Sequence, residues 1–144
     1  MYQFTRYVGL GLVLLLGSVG VIADEASGAM SLKQVMQGLG EDMNSLNTAI
    51  FNEDYPAMVK LAGRIADHPK PSAAARRQIL STLGADAGRF RGHDHQVHED
   101  GAALVVAAQA EDMSGVLRYQ GRIMQGCVAC HAEFRSRLLS PGNK

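Results

Sequence analysis

The residues best equipped for chemistry lie near the C-terminus, where the chain reads Gln125-Gly126-Cys127-Val128-Ala129-Cys130-His131-Ala132-Glu133-Phe134-Arg135. Cys127 and Cys130 are the only two cysteines in 144 residues, and His131 follows the second directly. Two thiols and an imidazole at this spacing suit four chemistries: a disulfide, a zinc site, a thioredoxin-type redox pair, or covalent attachment of haem.

A Cys127–Cys130 disulfide would close a very short loop inside a helix, gaining little entropy and adding strain. Structural zinc takes four ligands, and only one Cys-His group is present, with the other histidines far off along the chain. A thioredoxin-type pair opens a helix in a βαβ setting, whereas this pair falls two-thirds along a helical pattern with no strands available. Haem needs the spacing as it stands. Two thiols one helical turn apart can add to the two vinyl groups on one porphyrin edge, and the adjacent imidazole then points at the iron.

Compartment bears on that choice. Arg6 is followed by an apolar run from Tyr7 to Ala23 and then by the small and acidic residues Asp24 to Gly28, the layout of a secretory signal peptide. Val21 and Ala23 are the small residues of a cleavage site, which sets residues 1–23 as signal and 24–144 as one domain in the periplasm; an uncleaved anchor is the competing reading. Across the whole chain, fourteen Lys and Arg meet fourteen Asp and Glu. That balance gives no basic excess for nucleic acid or an anionic membrane surface.

The elements that must position the motif read as helices. Leu32, Val35, Met36, Leu39, Met43, Leu46 and Ile50 alternate in steps of three and four, the stripe of an amphipathic helix. Asp54 with Pro56 marks a second helix start, followed by Met58, Leu61, Ala62 and Ile65. Pro69 and Pro71 break the chain, and Ser72 to Leu83 reads as a short helical excursion closing at Gly84. A third main helix is expected to start between Phe90 and His95 and run through Ala108. The fourth follows Glu111 and Asp112, with Met113, Val116, Leu117, Gln120, Ile123, Met124, Cys127, His131, Phe134 and Leu138 along one face. With no alternating β-branched run, the expectation is an all-α, antiparallel four-helix bundle with haem near the C-terminal helix.

Cys-x-x-Cys-His on the last helix of an exported four-helix chain, followed by an aromatic and an arginine in "CHAEFR", resembles the class II c-type cytochromes, the cytochrome c prime superfamily. The resemblance covers Met30 to Leu139. It implies one covalent haem c per chain, with Cys127 and Cys130 as thioether tethers and His131 as proximal ligand. It also implies a distal face on the first helix, where methionine marks low-spin, electron-transferring members and leucine, tyrosine or phenylalanine marks five-coordinate ones. "LKQVMQGLGEDM" resembles the ligand stretch of the Met/His branch, which implies Met36 as distal ligand, with Met43 and Met30 as alternatives one turn off. The implied function is a periplasmic electron carrier with transient redox partners, not an enzyme; the alternative is a five-coordinate protein binding NO or CO. The superfamily also includes homodimers.

Four further groups carry possible roles. Arg135, one turn past His131, corresponds by the resemblance to a basic residue beside the haem, or is solvated. Arg118 and Arg122 can pair propionates, or be solvated. "RGHDHQVHED" holds His93, His95 and His98 among Asp94, Glu99 and Asp100, a loop able to bind Zn²⁺ or Cu²⁺ or simply a polar helix start.

Overall fold

The structure, a computed structural model, describes residues 30–139; the expected signal peptide and its cleavage point lie outside the described residues. Five helices follow in order: α1 Leu32–Phe51, α2 Tyr55–Ala66, α3 Ala73–Leu83, then a 3₁₀ turn Gly84–Asp86, α4 Ala87–Gln109 and α5 Met113–Leu138. There is no strand among the described residues. The fold is therefore an all-α bundle of four longer helices, with short α3 in the connection between the second and third of them, and no described helix is long and apolar enough to cross a membrane.

Four of the five helix starts are written in the sequence. Ser31 accepts from the Gln34 N–H at 3.2 Å while Gln34 Oε1 takes the Ser31 N–H at 2.8 Å, a reciprocal capping box at α1. Asp54, Ser72 and Asp112 cap α2, α3 and α5 by accepting from the N–H three residues on. The two tight connections share one device. Glu53 and Glu111 each take a left-handed backbone, φ 53°, just before a capping aspartate. Asp54 N–H reaches the Ala49 carbonyl at 2.9 Å and Asp112 N–H reaches that of Ala107 at 2.9 Å, so carbonyls at each helix end are satisfied.

The main core joins Met43, Leu46 and Ala49 of α1, Met58, Ala62 and Ile65 of α2, Val97, Leu104, Ala107 and Ala108 of α4, and Val116 and Ile123 of α5. Along the α4–α5 contact, His93 meets Glu133, Asp100 meets Arg122, and Ala107 lies against Gly115. These two helices therefore run in opposite senses. A second, smaller cluster holds Ile79, Leu83, Ala87 and Phe134, with Leu32, Phe90, Cys130 and Leu138 against it.

α4 differs from expectation. It starts at Ala87, and the histidine-rich segment lies well inside it rather than in a loop or at a helix start. Gly88, Gly92, Gly101 and three histidines have weak helix propensity, which hides the helix in the sequence; packing overrides it. Val97, Asp100, Gly101, Leu104, Ala107 and Ala108 make the buried stripe. Gly101 permits the closest approach, since a Cβ there would stand 3.0 Å from the backbone nitrogen, Cα and Cβ of Ala66.

Candidate functional site

α5 carries the cysteine segment near its C-terminal end, and its buried side is set by Val116, Ile123 and Phe134. A helix turns about 100° per residue, so Cys127 and Cys130 lie about 60° apart on that side, one turn along. Both thiols are free and half-buried. Cys127 packs against the main core and Cys130 against the smaller cluster, so the pair spans the division between them.

Burial pushes the Cys127 thiol up. Cys130 is pushed up to about 11, first by burial and then by the negative charge of Cys127, Asp94 and Glu133. Burial disfavours the thiolate form of both sulfurs. That opposes thiol–disulfide exchange and thiolate ligation of zinc, both of which need the anion. Addition to a vinyl group asks for free thiols near apolar surface, and these are free and half-buried in it.

His131 stands elsewhere than its expected place on the buried stripe. It is exposed, and its imidazole has no hydrogen-bond partner among the described residues. Leu117 and Met124 share this displacement, at 52 % and 43 % exposed. Each of the three follows a stripe residue (Val116, Ile123, Cys130) by one position, and that step of about 100° carries it to the edge of the helix–helix contact. The apolar arc of α5 is wider than the bundle covers. Its overflow forms a hollow of ≈ 380 Å³ lined by Met124, Gln125, Val128, Ala129 and Ala132, beside His131 in sequence register.

On α1, Leu32 packs with the smaller cluster, whereas Leu39 and Met43 pack with the main core. Met36 lies between them in helical register, half-buried and joined to neither. The alternative ligands are placed differently. Met43 is committed to the core, 8 % exposed. Met30 lines a separate hollow between α1 and the α2–α3 connection, together with Val35, Leu39, Asp42 and His68. The same division recurs on α4, where Phe90 packs with the smaller cluster and Val97 with the core.

The cationic candidates sort by partner. Arg122, whose side chain is 52 % exposed, pairs with buried Asp100 at 2.8 Å, and Gln96 donates to the same carboxylate at 2.9 Å. Arg118 lies over the Tyr119 ring at 5.2 Å. Arg135 is exposed. Arg137, which the sequence reading passed over, bonds Asp86 at 2.8 Å and the Leu83 carbonyl at 3.2 Å, tying the end of α5 to the α3–α4 junction.

His93, His95 and His98 do not come together as one group. His93 faces Glu133 at 3.4 Å and the Phe134 ring; His95 faces Glu99 at 3.2 Å on the exposed side; only His98 points toward α2. Helical rotation separates them. His98 instead meets Asp94 and His68, a buried histidine from beyond α2 that sequence spacing alone could not associate with α4.

Haem fits the residues present, on three observations: free, half-buried thiols one turn apart, an exposed imidazole following them, and two core clusters with Cys127 on one and Cys130 on the other. No family model matches the chain, and neither a curated protein nor a solved structure matches it.

Proposed function

We propose that this chain is an exported, monohaem c-type cytochrome that carries single electrons between redox proteins. The observation that supports this best is the Cys127-Val128-Ala129-Cys130-His131 segment on α5, with both thiols free and set across the division in the core. A haem held there supplies a one-electron iron couple. Cys127 and Cys130 would tether it through thioethers to its vinyl groups, an addition that needs no oxidant. His131 gives an imidazole lone pair as proximal ligand.

Met36 is the distal ligand in this reading. A thioether is a soft, weak donor that favours the ferrous state and raises the potential. A methionine bound to the iron would leave no open site for NO or CO, which separates an electron carrier from a gas binder. The near balance of charge leaves partner choice to small, transient contacts of the kind redox proteins use.

Absorption spectra of the protein from an export-competent host test the reading. The wild type is expected to be low-spin, with a near-infrared sulfur-to-iron band and no shift when CO meets the reduced form. Met36→Ala is expected to lose that band and bind CO. Immediate CO binding by the wild type would replace electron carriage with gas binding, and an unchanged oxidised spectrum in the variant would remove Met36 as ligand.

A further inference from the structure

We infer a divalent transition-metal site, separate from the cysteine segment, formed by His68, Asp94 and His98. His68 lies just past α2, while Asp94 and His98 are one turn apart on α4. One ligand atom from each lies within 4.8 Å of the other two, the sole such group of three among the described residues.

The hydrogen bonds hold both imidazoles by one ring nitrogen and leave the other facing Asp94. His68 Nδ1 faces the Pro69 carbonyl at 3.3 Å, and His98 Nδ1 bonds the Ala66 carbonyl. A carbonyl only accepts, so both Nδ1 atoms carry the proton and both Nε2 atoms carry the lone pair in the neutral rings. Those lone pairs meet the two oxygens of one carboxylate: His68 Nε2 to Asp94 Oδ1 is 3.3 Å, and His98 Nε2 to Asp94 Oδ2 is 3.5 Å. The rings stack, centroids 4.5 Å apart and 17° from parallel.

Three acceptors facing one another need positive charge among them. One proton satisfies a single contact. Two protons would stack two imidazolium rings face to face. A divalent cation satisfies all three donors. Ligands about 2.0–2.1 Å from tetrahedral zinc lie about 3.3–3.4 Å from each other, close to both nitrogen–oxygen separations here. Anchoring the far ring nitrogen on a backbone carbonyl is how protein metal sites fix histidine tautomer and direction. His68 is 7 % exposed but Asp94 is 47 %, so one side stays open to water. Two imidazoles, one carboxylate and an open position describe a Zn²⁺ site with an exchangeable fourth ligand.

Titration calorimetry of the full, exported chain with Zn²⁺ tests this. One ion per chain is expected. Asp94→Asn and His98→Gln should each weaken binding at least about tenfold. His95→Gln, on the same helix but paired outward with Glu99, should leave it unchanged. Absence of stoichiometric binding by the wild type would overturn the site, as would equal affinity in all variants or loss on changing Cys127 and Cys130 instead. Should the α4 variants misfold, Co²⁺ on the wild type decides: four-coordinate absorption without a sulfur-to-cobalt band supports the site, and the spectrum of the hydrated ion refutes it.

Discussion

Replacing Gly101 by alanine sets two opposed effects against each other at the α2–α4 contact. Alanine in a helix interior is favoured over glycine by roughly 0.5–1 kcal/mol. The added methyl, however, would meet the nitrogen, Cα and Cβ of Ala66 at 3.0 Å, and two of these are backbone atoms that no side-chain rotation removes. Overpacking of this kind costs about 1–3 kcal/mol. The Ala66 carbonyl is also held by His98, so moving α2 away loosens that bond. Subtracting the propensity gain leaves a net loss of about 0–2.5 kcal/mol. Gly92 supplies the control, because a Cβ there meets nothing within 4 Å. Gly92→Ala should stabilise by about 0.5–1 kcal/mol. Urea denaturation of both variants, with the slope held common, reads the two signs directly. A stabilised Gly101→Ala protein would refute the claim that α2 and α4 pack backbone against backbone.

The left-handed glutamates give a second test: Glu53→Gly and Glu111→Gly should each stabilise by about 0.5–1 kcal/mol, because glycine adopts φ 53° without a Cβ penalty; loss of stability in thermal melts would contradict the turn geometry. A third concerns acid. Arg137 first, and then Arg89, holds the Asp86 carboxyl below its ordinary 3.8. A lowered folded-state value means that its contribution is complete above the unfolded value and is lost as pH falls through the folded one. Asp86→Asn should therefore destabilise at about pH 7 and approach the wild type as pH falls through the folded-state value, and added salt should shrink the difference. A constant gap across that range would show that Asp86 acts by packing alone.

Much of this fold can be read in the chain, for identifiable reasons. Ser31, Asp54, Ser72 and Asp112 are local caps, and local chemistry survives folding. The stripes of α1 and α2 were readable because their apolar spacing is clean. The start of α4 was not. Its glycines and histidines argue against a helix, and only contacts with α2 and α5 hold it. The α5 stripe was read too wide, since a count of apolar residues cannot tell the covered part of an arc from the overflow that carries Leu117, Met124 and His131 outward. The Cys127, Cys130 and His131 group was legible because its members are adjacent. The His68, Asp94 and His98 group was not, because it joins residues thirty apart that only the α2–α4 packing brings together.

The central claim is a covalent bond between this chain and haem. Intact mass spectrometry of the denatured protein, exported through a host that attaches haem, tests it most directly. One haem per chain is predicted, surviving denaturation and acid extraction, and absent when Cys127 and Cys130 are both changed to serine. A mass equal to that of the bare polypeptide, in a host that attaches haem to a control cytochrome, would contradict it.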